Sequence, residues 1–153
     1  MLFRSDSRME QNLQTQETVN KLTNLVSLAT AGKDFPDVPN WMSGAALQYR
    51  NGPLSANLSA KYTGKRYSTL VNDQAMAGYT LVSFDAAFRL PWKGWLKDPT
   101  VRLNVYNLLD DNYLNLNAGS GSGFTTRALS PSGSPSYYVG APRSFSVMLS
   151  TDF

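Results

Sequence analysis

Five segments of the chain after Asn40 alternate apolar and polar residues, and each is bounded by Gly, Pro, Asn or Asp. Side chains of a β-strand point alternately to its two faces, so this period-two pattern predicts a strand in each segment. The clearest is LSANLSAKYTG, and WMSGAALQYR precedes it. The apolar positions of the last four segments are Leu54, Ala56, Leu58, Ala60 and Tyr62; Val82, Phe84, Ala86, Phe88 and Leu90; Val101, Leu103 and Val105; and Phe145, Val147, Leu149, Thr151 and Phe153. The pattern predicts an all-β fold, an antiparallel meander of about five to six long strands.

Residues 1–39 form an N-terminal segment without this regularity, separate from the predicted strands within residues 40–153. Residues 1–17 are polar and aperiodic, and no structure is predicted for them. The stretch VNKLTNLVSLAT, from Val19 to Thr30, fits either a partial strand or a short amphipathic helix. Two prolines in AGKDFPDVPN then predict a loop. The opening MLFRS matches a sequencing adapter read through in frame, so we interpret the first residues as an artefact.

The composition excludes several classes of function. The chain has 153 residues, with no cysteine and no histidine, which removes disulfides, thiolate metal sites and imidazole-based catalysis. We therefore expect no enzyme activity and no cofactor. The 14 basic and 11 acidic residues are spread along the chain, unlike the clustered charge of a nucleic-acid-binding surface. Nucleic acid is not an expected partner.

Alternation alone does not identify what the apolar face contacts, because a soluble sandwich and a membrane barrel give the same pattern. Three features favour an outer-membrane barrel. Short and long connections alternate: NGP predicts a tight hairpin turn, whereas Lys65 to Gly78 and Asp110 to Ala141 are long loops. The strands have the length of tilted spanning strands, about 9 to 11 residues. Aromatic residues gather at strand ends, as they do where a membrane meets water: Trp41, Tyr49, Tyr62, Trp92 and Trp95.

From about Phe35 to Phe153 the sequence resembles the C-terminal end of TonB-dependent outer-membrane receptors. The resemblance lies in an ordered set of motifs: VPNW, NGPLS, KYTGKRY, GYTLVSFDAAFRL, NLLDDNY, and a last strand that begins with PRSF and ends with Phe. NLLDDNY matches the family's N-L-x-D-x-x-Y motif through Asn107, Leu108, Asp110 and Tyr113, with Leu109 where the family most often has Phe. By this resemblance, the motif marks the extracellular end of the penultimate barrel strand.

The resemblance implies a transmembrane β-barrel of about 22 strands with an N-terminal plug inside it. Such receptors lie in the bacterial outer membrane and take up scarce ligands such as ferric siderophores, cobalamin or sugars, with energy passed on by TonB. For this chain we expect a ferric siderophore, although its strands and loops do not by themselves distinguish an iron chelate from a vitamin or a glycan. This chain has neither the plug nor a TonB box, and its strands are too few to close a barrel, so we expect a fragment of a transporter. The implied partners are outer-membrane lipid, the barrel assembly machinery, the TonB system through the missing plug, and a small-molecule ligand. The NGP and PWKGWLKDP turns would be periplasmic, and residues 1–39 would include an extracellular loop.

Two groups of residues gain expected roles from the resemblance. The C-terminal signal read by the barrel assembly machinery would comprise Phe145, Val147, Leu149 and Phe153, the alternative being an ordinary amphipathic last strand. Candidates for ligand contact, in or beside the outer loops, are Arg66, Tyr67, Arg127, Tyr137 and Tyr138. Arg with Tyr suits an anionic, aromatic-bearing ligand such as a ferric siderophore, and the alternative is loop packing.

Other polar residues have plainer interpretations. The cluster Asp110, Asp111 and Asn112 lacks the ligand spacing of a calcium loop and predicts a solvated strand exit. GSGSGF lacks the Lys and Ser or Thr of a phosphate loop and predicts a flexible linker. A paired network against the plug is predicted for the inward-facing side chains Lys61, Asp85, Arg89 and Arg102.

Two other functions stay open from the sequence. A passive porin-like channel would show no upstream plug or TonB box. A soluble all-β binding domain would pack its apolar faces as a sandwich and would need no lipid.

Overall fold

The computed structural model describes residues 1–4, 7–19, 22–92, 94, 97–116 and 135–152. The strands in these ranges are β1 (Leu2–Arg4), β2 (Leu13–Val19), β3 (Leu22–Leu28), β4 (Trp41–Asn51), β5 (Leu54–Thr63), β6 (Arg66–Tyr67), β7 (Ala75–Met76), β8 (Tyr79–Arg89), β9 (Lys97–Tyr106), β10 (Leu114–Leu116), β11 (Tyr137–Val139) and β12 (Ser144–Asp152). No helix long and apolar enough to cross a membrane occurs in these ranges.

The main element is a six-stranded antiparallel sheet in the order β1-β4-β5-β8-β9-β12. Each of its five long strands pairs with the next long strand along the chain, so the sheet is a meander, as the alternation predicts. The register mostly places apolar residues opposite apolar residues on neighbouring strands, and polar residues opposite polar ones. Leu58, for example, lies opposite Leu47 on one side and Phe84 on the other.

One face of this sheet, which we call the apolar face, carries the predicted apolar positions. Its side chains are exposed across several strands, and the exposed fraction reaches 70% for Leu47 and 73% for Val147. The three smaller sheets each contain two strands, and within the described ranges none of them makes extensive contact with the long strands. The covering layer that a soluble sandwich requires is therefore not found among the described residues.

The opposite face, which we call the polar face, carries Gln48, Asn57, Asp85, Arg102 and Asn104 in its middle. A cavity of about 590 Å³ lies over these side chains. The register places Asn57 opposite Asp85, and Asp85 opposite Asn104. Because strand side chains alternate, the same pairing that gathers the apolar residues on one face gathers these polar groups on the other.

The two ends of the sheet differ in the length of their connections. At the turn end, Gly52 and Pro53 join β4 to β5, with Asn51 opposite Leu54. Gly52 has φ +54°, a conformation that glycine adopts without steric cost, and the predicted hairpin is confirmed. At the loop end, residues 64–78 and 107–143 connect the strands, and they include the short pairs β6–β7 and β10–β11.

The N-terminal segment has more structure than its sequence predicts. The stretch that fits either strand or helix contains β3, which pairs with β2 from Leu13↔Leu28 to Val19↔Leu22. Two further contacts continue this pairing towards the sheet, the bridge between Arg8 and Asp34 and the 2.9 Å bond from Met9 N to Lys33 O. β1 then pairs with the start of β4. Residues 1–17, for which no structure is predicted, therefore contain β1 and most of β2, and the predicted loop after Thr30 is confirmed.

Candidate functional site at the loop end

The exit of β9 is built around Asn107. Its side chain is fully buried and its φ is +51°, a left-handed conformation that Asn adopts more readily than most residues. Its Nδ2 donates to the carbonyls of Asp111, at 3.0 Å, and Ala141, at 3.1 Å, while its Oδ1 accepts from Asp111 N at 3.0 Å. One side chain thus joins the end of β9 to the segment that precedes β12.

The two aspartates of this motif also bind backbone N–H groups. Asp111 Oδ2 accepts from Thr80 N at 2.9 Å, and Asp110 Oδ1 accepts from Arg143 N at 2.9 Å. Leu108 N donates to Val82 O at 2.7 Å and so ties the turn to β8. Asp110 and Asn112 are exposed, as the prediction of a solvated strand exit requires, whereas Asp111 is only partly exposed; both aspartates also close the turn against its neighbours. Within the described ranges, no group of three or more His, Cys, Asp or Glu side chains could hold a metal ion.

Tyr113 completes the motif through aromatic packing. Its ring stacks on Tyr79 with 4.3 Å between centroids, and its hydroxyl shares a 3.3 Å hydrogen bond with that of Tyr106. Gly140 lies against the ring, where a Cβ atom would overlap it. The four residues Asn107, Leu108, Asp110 and Tyr113 therefore all hold the loop end together.

Arg66, a predicted ligand contact, is buried, with only 6% of its surface exposed. Its Nη1 forms a 2.8 Å salt bridge with Asp37, and its Nη2 donates to Leu114 O at 2.9 Å. The guanidinium also lies 5.5 Å from the centre of the Tyr79 ring. It thereby joins three connections: residues 29–40, residues 64–78 and the segment after β9. Its Nε has no hydrogen-bond partner among the described residues.

The other predicted ligand contacts are distributed over the same end. Tyr137 shares a 2.8 Å hydrogen bond with Ser68 and donates to Gln74 at 3.2 Å. Tyr67 accepts from Lys65 Nζ at 3.1 Å, whereas the Tyr138 side chain is exposed. Arg127 and GSGSGF lie outside the described residues. The structure therefore brings Arg66, Tyr67 and Tyr137 into one cluster of loops, and their role in ligand binding stays a prediction.

The predicted assembly signal lies on β12. Phe145, Val147 and Leu149 are exposed on the apolar face, opposite Val105, Leu103 and Val101 respectively. Phe153 lies outside the described residues. The shared face fits the signal and an ordinary amphipathic strand equally well, so this assignment also stays a prediction.

The sequence interpretation missed several residues in the middle of the polar face. Gln48, Asn57 and Asn104 line the cavity on the polar face, and their alternation with apolar neighbours is the signal that could have identified them. Lys61, Asp85, Arg89 and Arg102 share this face, and their pairing against the plug stays a prediction. Among the described residues they form no ion pair, and Asp85 only accepts a long 3.4 Å bond from Asn57.

Known proteins contain a similar arrangement of strands. The fold is similar to that in the crystal structure of the ferric citrate transporter FecA in the unliganded form, with a TM-score of 0.60 and 16% sequence identity. The similarity covers 83% of this chain but only 19% of that one. No curated protein sequence matches the chain. The sequence profile described as TonB dependent receptor-like, beta-barrel matches residues 11–108, well over half of the chain. The chain therefore belongs to the TonB-dependent receptor-like β-barrel family.

Proposed function

We propose that this chain forms part of the wall of an outer-membrane TonB-dependent transporter, and that the transported ligand is a ferric siderophore. The observation that supports this best is the exposed apolar face, which extends across all five long strands and is backed by a polar face. Membership of the family supplies the class of protein, since its members transport ligands and do not catalyse reactions.

Lipid is the environment that suits this face. Exposed apolar surface of this extent is unfavourable in water, at about 25 cal/mol for each Å². In a bilayer the same face contacts hydrocarbon, and the paired strands satisfy each other's backbone groups. β4, β5, β8 and β9 contain 10 or 11 residues each, the length that a tilted strand needs to cross the membrane.

The orientation and partners follow from the same proposal. The turn end faces the periplasm and the loop end faces outward, because long connections in such barrels are extracellular. The barrel assembly machinery would recognise Phe145, Val147, Leu149 and Phe153 at the C-terminal strand. The chain spans about a fifth of the length of the similar transporter, and contact with TonB would be made by a plug that precedes the barrel strands.

The loop end is where a ligand would first meet this wall. Tyr138 is exposed there, and the hydroxyls of Tyr106 and Tyr113 face the polar side of the sheet. An anionic iron chelate would find aromatic surfaces and hydroxyl donors in this region. The similar transporter is named for ferric citrate, which supports an iron chelate as the ligand class.

Uptake of radiolabelled ferric siderophores by receptor-deficient bacteria tests the proposal. The cells would express a full-length receptor that contains this sequence, with and without a functional TonB. Accumulation of iron that requires both the receptor and TonB is the expected result. Accumulation that persists without TonB would instead support a passive channel, and the absence of uptake for every ferric siderophore would refute the ligand class.

A further inference from the structure

A cavity of about 530 Å³ lies on the apolar side of the sheet at its loop end. Trp41 and Ser43 of β4 and Tyr62 of β5 line it, and the strand alternation places all three on the apolar face. The two rings are partly exposed, at 46% for Trp41 and 43% for Tyr62. Leu2 also lines the cavity, but the aromatic and charged groups of the lining all lie beyond the opening MLFRS.

The remaining parts of a receptor would not fill this cavity. A plug would lie inside the barrel, against the polar face, and further barrel strands would extend the sheet at its edge strands, β1 and β12. The cavity lies inside those edges, on the outer side of β4 and β5. In the proposed orientation, this is the level at which the headgroups of the outer leaflet meet water.

Lys65 contributes a positive charge to the lining of the cavity. Its Nζ lies 4.6 Å from the centre of the Tyr67 ring and donates to the Tyr67 hydroxyl at 3.1 Å. Tyr67 also lines the cavity, so its ring holds the ammonium group at the site. Lys65 is exposed, and among the described residues it forms no salt bridge.

Asp34, the one carboxylate that the described residues contribute to the lining, already has partners. Its Oδ2 accepts from Asn40 Nδ2 at 3.0 Å, and its Oδ1 lies 3.8 Å from Arg8 Nε. The negative charge of Asp34 is therefore balanced by Arg8. The positive charge of Lys65 remains, and it favours an anion at this cavity.

We propose that this cavity binds the phosphorylated headgroup of a lipid in the outer leaflet of the membrane. An ammonium group binds phosphate as a point charge, and the rings of Trp41 and Tyr62 suit the boundary between headgroups and hydrocarbon. Towards the turn end, the exposed side chains of Leu47 and Leu58 continue the same face, where acyl chains would lie. This continuity favours a lipid over a soluble phosphate. The assignment rests on the proposed membrane orientation and goes beyond the uptake of a ligand.

Photolabelling with a phosphorylated lipid tests the site directly. A full-length receptor that contains this sequence would be purified in dodecyl maltoside micelles and exposed to a phosphatidic acid with a diazirine in one acyl chain. Mass spectrometry would measure the label on residues 41–62 as the lipid concentration rises, so lipid bound elsewhere on the barrel does not contribute. Saturable labelling is expected. Lys65→Gln should raise the half-saturating concentration by about fivefold or more, because the phosphate loses its cationic partner.

Two further variants separate this site from general attraction to a basic protein. Lys33→Gln removes an exposed lysine at the same end of the sheet, outside the cavity, and should change the half-saturating concentration by less than about twofold. Lys65→Arg keeps the positive charge and should also stay within about twofold of the parent. Equal effects of Lys65→Gln and Lys33→Gln, or labelling that does not saturate, would overturn the proposal.

Competition on the parent receptor tests the ligand class and needs no variant. Unlabelled phosphatidic acid should displace the label, whereas glycerol phosphate, which lacks acyl chains, should require a concentration at least about tenfold higher. Displacement by both at the same concentration would overturn the choice of a lipid. Equal displacement by phosphatidylcholine, whose headgroup has no net charge, would overturn the choice of an anionic headgroup.

The outcome of this experiment is separate from that of the uptake experiment, because no transport is measured. If labelling of Leu47 and Leu58 persists but does not depend on Lys65, the headgroup site is refuted and the membrane contact of the apolar face stands. If no part of the apolar face is labelled, both are contradicted. Far-ultraviolet circular dichroism in micelles would first confirm that each variant folds as the parent does.

Discussion

The side chain of Asn107 and the backbone of Asp111 bind each other in both directions: Asn107 Nδ2 donates to the Asp111 carbonyl at 3.0 Å, and Asp111 N donates to Asn107 Oδ1 at 3.0 Å. The same amide reaches Ala141, on the far side of the loop that separates β9 from β12. A single buried residue therefore fixes the two ends of the longest connection in the sheet.

Replacement of Asn107 by Ala should reduce the free energy of unfolding in micelles by about 2 to 3 kcal/mol, since three hydrogen bonds are lost at a buried position. Urea titration followed by circular dichroism would measure it. Asn112→Ala is the matched control, because Asn112 is an exposed amide in the same motif, and it should change the value by less than about 0.5 kcal/mol. Equal losses in the two variants would contradict the role of Asn107.

Arg66→Ala should loosen the three connections that this side chain joins. The variant loses the salt bridge to Asp37 and the bond to Leu114, and we expect about 1 to 3 kcal/mol of destabilisation because Asp37 is partly exposed and can be rehydrated. Hydrogen exchange measured by mass spectrometry should show faster exchange in residues 64–78 and 107–116. The control is Lys65→Ala, which removes an exposed neighbouring cation; faster exchange in that variant as well would argue against a specific role for Arg66.

Val147 and Met148 are adjacent in sequence but lie on opposite faces of β12, and this separation gives a direct test of membrane contact. Val147→Lys places a charge on the apolar face and should destabilise the lipid-inserted sheet by about 2 to 4 kcal/mol if the residue lies near the middle of the bilayer. Met148→Lys places the same charge on the polar face and should have little effect. Folding into lipid vesicles, followed by protection from protease, would compare the two, and equal effects would refute the assignment of the faces.

Gly52→Ala should destabilise the sheet by about 1 kcal/mol through the backbone alone. Gly52 has φ +54°, and a Cβ atom there would meet nothing within 4 Å. Gly52→Asn should recover part of the loss, because Asn tolerates the left-handed conformation. Urea titration would again measure both variants. An equal penalty for Asn and Ala would show that the side chain, rather than the backbone conformation, sets the cost.

The long strands could be predicted from the sequence because alternation is local and each of them shows it. β2 and β3 could not be predicted in the same way, since LQTQETV and LTNLVSL lack a consistent apolar face; they pair with each other as a hairpin. The burial of Asn107 depends on Ala141, which is 34 residues away, and that of Arg66 depends on Asp37 and Leu114. Contacts of this kind are set by the fold and leave no periodic trace in the sequence.

The register of the sheet also determines which changes of length the protein tolerates. A residue deleted from the middle of β5 would move Lys61 and Thr63 to the apolar face and displace Leu58 and Ala60 to the other side. Residues inserted between Lys65 and Gly78 would leave the pairing of the six-stranded sheet unchanged. We therefore expect insertions and deletions at the loop end. In the strands we expect only substitutions that keep one face apolar and the other polar.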